Sequence, residues 1–149
     1  MTTSELLTTL RDALAADDTL KSWCTSNIGS APAIQIDFDD QLDIEDYPLI
    51  AFIQISHDDG IVSPRNIWTL NGSVFVKNSD RTETTTNGCK TITYDGRLDC
   101  EGLREQTIAA IYRAKVGKVT VQSEAMSHTF HPRYVSPFIL TIDRINSIL

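Results

Sequence analysis

The chain has 149 residues, a net charge of −7 and a pI near 4.8, with 41% hydrophobic and 22% charged residues, so it is about one globular domain long rather than disordered. That acidity argues against general nucleic-acid binding, which is driven by Lys and Arg, and no apolar run approaches the roughly 20 residues of a membrane helix. The opening MTTSELLTTLRDALAADD is amphipathic and acidic, unlike a signal peptide, which points to a cytoplasmic protein.

Thr2 and Glu5 have capping-box spacing, and Leu6, Leu10, Ala13 and Leu14 follow at helical intervals, which predicts a helix over residues 3–16 with Arg11 and Asp12 in water. Asp17 or Asp18 is a cap for a short second helical turn carrying Leu20, Trp23 and Cys24. Alternation over 33–38 predicts a short strand. Pro48 can only open a strand or lie at its edge, and the nearly all-apolar run 49–55 reads as a central strand covered on both faces, with helices on one side. A second long strand over 66–77 puts Trp68, Leu70, Val74 and Val76 on one face and Asn71 and Ser73 on the other. The polar stretch 78–96 contains RTETTT and CKTITY around Asn87-Gly88, the preferred pair of a two-residue type I′ hairpin. Its flanks bury little, so the hairpin reads as an arm projecting from the domain that becomes ordered on a partner.

Asp99 is the expected N-cap of the next helix, which repeats Cys100, Leu103, Thr107, Ile111 and Ala114 and stops at Gly117. Strands over 118–126 and 138–145 complete the chain, joined by the loop SHTFHPRYVSP. The expected fold is α+β: one domain over 1–149, a mostly antiparallel sheet, two main helices packed on one side, and a projecting β-hairpin arm at about 78–96.

Charge is divided unevenly. Residues 1–60 hold twelve Asp/Glu against Arg11 and Lys21, whereas residues 61–149 hold eight against eleven Lys/Arg. The two portions are electrostatically complementary, within one molecule or between copies. Much of the acidity lies in DFDDQLDIED: Asp37, Asp39, Asp40, Asp43, Glu45 and Asp46. An EF-hand counted from Asp37 would need Gly at its sixth position and Glu at its twelfth, where Leu42 and Pro48 stand. An irregular cation site, a solvated loop and a charged contact surface remain as readings. His128-x-x-His131 precedes Pro132 and lacks nearby ligands to complete a zinc site. Neither a GxSxG elbow nor a phosphate-binding glycine loop occurs, so no catalytic, metal or cofactor-binding residue is expected. Cys24, Cys89 and Cys100 are odd in number and form no CxxC pair, as suits reduced thiols.

The order of these segments resembles the tail-terminator, or tail-completion, proteins of long-tailed bacteriophages. The residues carrying the resemblance are LAADDTLKSW at 14–23, AIQIDF, the linker ending in YPLIAFIQI at 47–55, GLREQTIAAIYRAK and PFILTIDRI. The arm is longer and more polar than in the shorter members. The resemblance implies a non-enzymatic virion protein, assembled in the host cytoplasm, that forms a ring, usually a hexamer. Such a ring caps the tail tube, halts its polymerisation and offers neck and head-completion proteins a joining surface. DNA would pass through without specific binding, and neither a membrane nor a cofactor is implied. The acidic segment is then a candidate lumen or subunit-interface lining, and Arg81, Glu83, Asn87, Gly88 and Lys90 are candidate arm contacts. Ring closure needs two different patches meeting head to tail, which a divided charge supplies. Another phage neck or head-completion component is an alternative. So is a small cytoplasmic enzyme or ligand-binding domain with a pocket around His57, His128 and His131.

Overall fold

Thr2 starts the first helix of the computed structural model, which describes residues 1–37, 46–58, 65–123 and 127–145. Its hydroxyl accepts the Glu5 N–H at 3.1 Å while the Glu5 carboxylate accepts the Thr2 N–H at 2.8 Å, so two otherwise orphaned donors are satisfied reciprocally. Helix α1 (Thr3–Ala15) then buries Leu6, Leu10 and Leu14 completely. Asp17 caps α2 (Asp18–Asn27) by accepting the Leu20 N–H at 2.8 Å. Where the sequence suggested one turn, a ten-residue helix forms, because Leu20 and Cys24 one turn apart both reach the core.

The sheet is built from β1 (Ala33–Ile36), β2 (Leu49–Asp58), β3 (Arg65–Lys77), β6 (Lys118–Ser123), β7 (His128–Phe130) and β8 (Arg133–Ile145), in the order β1-β2-β3-β8-β6 with β7 also paired to β8. Only β1 and β2 run parallel. The hairpin β4 (Arg81–Thr86) and β5 (Cys89–Tyr94) is a separate two-stranded sheet, and α3 (Asp95–Ala114) follows it directly. The fold is α+β with a mostly antiparallel sheet. Its main core gathers Leu6, Leu10, Leu14, Leu20, Cys100, Leu103 and Ile111 of the helices against Ile50, Phe52, Trp68, Leu70, Phe138 and Leu140 of one sheet face.

Several boundaries differ from expectation. β3 and β8, paired over thirteen positions, occupy the middle of the sheet, with β2 one place out. Only residues 49–52 of β2 are buried throughout: Ile50 and Phe52 face the helices, and Leu49 and Ala51 join Phe75, Tyr47 and Val135 on the opposite face. A bulge between Phe52 and Gln54 then shifts the alternation, so that Ile55 and His57, not Gln54 and Ser56, stand opposite Leu70 and Trp68. SHTFHPRYVSP is no loop. It holds β7, a turn at His131-Pro132 and the first residues of β8, which starts at Arg133.

Helix α3 begins at Asp95, with Tyr94 rather than Asp99 in the cap position. The Asp99 carboxylate instead accepts a 3.0 Å hydrogen bond from the Asn78 side chain. Gly96 allows the early start, because any Cβ there would collide with the buried Tyr134 ring. At the other end Lys115, with φ 53°, takes the left-handed position that was expected of Gly117. Gly117 serves close packing, since a Cβ would lie 2.8 Å from the Asp143 carbonyl oxygen.

Candidate functional site

The arm turns at Asn87 (φ 53°) and Gly88 (φ 77°), the two consecutive positive φ values that a type I′ turn requires. The register pairs Thr82 with Thr93, Thr84 with Thr91 and Thr86 with Cys89 on one face, and Arg81 with Tyr94, Glu83 with Ile92 and Thr85 with Lys90 on the other. One face is therefore uncharged and almost all threonine, joined by the 3.1 Å contact between the Thr84 and Thr91 hydroxyls. The other carries Glu83 between Lys90 at 2.8 Å and Arg81 at 3.3 Å, with the Arg81 guanidinium 6.0 Å over the Tyr94 ring. Of the twelve strand residues only Thr93 is partly buried. Solvent-exposed ion pairs contribute little, and an isolated two-stranded hairpin is marginal in water.

The base of the arm is held firmly. Asn78 donates its N–H to the Pro132 carbonyl at 2.8 Å, its side chain bonds Asp99, and its amide oxygen accepts the Asp80 N–H at 2.8 Å. The Asp95 N–H returns to the Asp80 carbonyl at 3.2 Å, and the Thr82 hydroxyl bonds the Asp95 carboxylate at 2.9 Å. Arg97 ties α3 to β7. It donates to Glu101 at 3.0 Å, and to the His128 carbonyl and the Thr129 hydroxyl at 2.6 Å, while its guanidinium lies 5.3 Å over Tyr134. Glu101 also accepts from Ser127 at 2.5 Å and Ser136 at 3.3 Å. Burial alone would raise the Glu101 carboxyl, but the hydrogen bonds from Ser127, Arg97 and Ser136 outweigh it and hold the group below its usual range.

Between arm and domain lies a concavity of about 310 Å³ lined by Ile92, Tyr94, Arg97, Leu98, Thr129 and Tyr134. Ile92 and Tyr94 are each 46% exposed and Leu98 64%, so the opening is apolar and wet. Two of its polar groups are engaged within the subunit: Arg97 as above, and Tyr134 through a 2.8 Å contact between its hydroxyl and His131 Nδ1. The Ser127 hydroxyl bonds Glu101 and Ser136, so it is engaged in tying the helix to the sheet.

The anticipated histidine pocket does not form. His57 stacks on Trp68 with ring centroids 4.5 Å apart and bonds Asn66 at 2.9 Å. Trp68 stands opposite Ile142, and His128 opposite Val135, which separates them by about 23 Å along β8 at ~3.3 Å per residue. Asp37 and Asp46 are exposed, and Asp37, with φ 64°, donates its N–H to the Phe52 carbonyl at 2.6 Å as β1 ends. Asp39, Asp40, Asp43 and Glu45 lie outside the described residues. Arg81, Glu83 and Lys90 are brought together on one face of the exposed arm, and Asn87 and Gly88 form the turn at its tip. Among the described residues no three His, Cys, Asp or Glu converge as metal ligands, and no helix is long and apolar enough to cross a membrane.

Sequence reasoning missed the Glu101 cluster. Glu101, Ser127 and Ser136 are far apart in the chain, and only the Arg97–Glu101 spacing of four residues on one helix signalled any part of it. Charge division left open whether the acidic and basic portions meet within one molecule or between copies, and one such pair meets inside the subunit. The Arg113 guanidinium grips Asp17 with two hydrogen bonds, of 2.9 and 2.8 Å, and those bonds hold the Asp17 carboxyl below its ordinary value. Compared with the models of known protein families and with curated proteins, the chain matches none.

Proposed function

We propose that the chain is a structural subunit of a long-tailed phage particle. In this reading it is a tail terminator that closes into a ring, six-membered as in the family it resembles, on the last ring of the tail tube. The ring stops polymerisation and presents its far side for head joining, and DNA passes through its hole. The observation that carries this reading is the arm, a hairpin clamped at its base of whose strand residues only Thr93 is partly buried within its own subunit. A domain that anchors such an element firmly is suited to giving it to a neighbour. The order of helices and strands around the arm, and the engagement of Arg97 and Tyr134 within the subunit, favour assembly over turnover.

Negative-stain imaging and sedimentation of the purified chain test this. The expected result is a ring with a central hole. In particles lacking the protein, overlong or unjoined tails are expected. Normal free tails with leaking heads would instead assign the chain to head completion. A strictly monomeric chain whose activity is lost on substitution at Tyr94 or Arg97 would overturn the structural reading.

A further inference from the structure

Two elements of this subunit are incomplete, and they match. The arm has two strands of six residues each and needs a third strand or a packing surface to be stable. Strand β6, also six residues, lies at the end of the main sheet and, among the described residues, pairs with β8 alone. Natural edges are usually protected by charge, proline or brevity. After Lys118 the β6 edge reads VTVQS, with Thr120 and Gln122 exposed and Val121 41% exposed. Strand β5 carries one charge, Lys90 beside the turn, whereas β4 carries Arg81 and Glu83. Its mid-strand Ile92 is 46% exposed.

We propose that β5 of one copy pairs along the free edge of β6 in a second copy, with Ile92 against Val121, so that the arm extends its neighbour's main sheet. The inference deepens the assembly reading above and rests on it. Pairing gives the arm its third strand, satisfies the open ladder of β6, and places β-branched Thr91, Ile92 and Thr93 beside Thr120, Val121 and Gln122, a favourable cross-strand set. The contact joins two different surfaces, arm to edge, so it propagates head to tail and can close a ring. The opposite edge of the sheet fits less well. β1 has four residues and ends at Asp37 in a left-handed conformation, which stops the extended run.

The test uses the full chain with Cys89→Ser. Cys24 and Cys100 are buried, with burial pushing their thiols up to about 11 and about 12, so neither competes for oxidation. One preparation carries Ile92→Cys and another Val121→Cys. Mixed and gently oxidised, they are expected to form a disulfide between subunits that neither forms alone. Separately, Val121→Lys puts a charge on the edge at an exposed site. It is expected to weaken assembly by roughly tenfold or more, in keeping with the cost of desolvated unpaired ladder groups, while circular dichroism and Tm stay as in the parent. An assembly that forms without the 92–121 disulfide, or that links Ile92→Cys to Ile36→Cys on β1, overturns the inference and leaves the ring. A linked complex of only two subunits supports the inference and counts against the ring. A chain that stays monomeric at every concentration overturns both.

Discussion

Glu101 gathers donors from Arg97, Ser127 and Ser136, and through them holds the first turns of α3 to β7 and β8 at the arm's base. Glu101→Ala would strand those donors in a half-buried site, at a cost of about 1–3 kcal/mol, or several degrees in Tm for a chain of this size. Glu101→Gln, which keeps an acceptor, should lose less. Asp17 works at the opposite end of the domain, capping α2 and receiving Arg113. Both carboxyls sit below their ordinary values of 4.5 and 3.8 in the folded state. Their contribution is therefore fully present above those values and lost as pH falls through the lower folded values. Urea titrations at falling pH should show stability declining below about pH 4.5, and Asp17→Asn with Glu101→Gln should flatten that decline. A slope unchanged by both substitutions would remove these groups from the acid response.

At the scale of elements, the arm shows how local chemistry and tertiary context divide the work. Asn87-Gly88 states its turn in the sequence, and threonine-rich flanks state the strands. Gly88→Val would force a β-branched residue into φ 77°, so the hairpin should lose its register and assembly should weaken while the core keeps its Tm. Free subunits should exchange amide protons rapidly over Arg81–Tyr94 and slowly once assembled. Strong protection in the free chain would show that the arm needs no partner. The start of α3 was not legible. Asp99 has the chemistry of a cap, but the Tyr134 ring, 38 residues further on, makes room for a helix only where Gly96 leaves space. Gly96→Ala should destabilise by about 1–3 kcal/mol through that clash, measured against the parent by thermal unfolding.

Across the whole molecule, the divided charge is partly satisfied inside the subunit by Asp17 and Arg113. If neighbours join through strand pairing, assembly mass should hold between about 0.1 and 1 M salt, where the Debye length falls from about 10 to 3 Å. Dissociation at high salt would return the interface to charge complementarity. By itself the sequence determined what depends on neighbours along the chain. It set the Thr2–Glu5 capping box, the Asp17 cap, the apolar faces of α1 and β3, the type I′ turn and the α+β class. Tertiary structure alone decided that β3 and β8 lie at the centre, that a bulge after Phe52 turns Ile55 and His57 toward the helices, and that SHTFHPRYVSP belongs to a hairpin. It also brought Glu101 to Ser127 and Ser136, and Asp17 to Arg113. The reason is that helix caps and hairpin turns are satisfied within a few residues. Strand order, bulges and side-chain clusters are satisfied by groups whose distance along the chain carries no local mark.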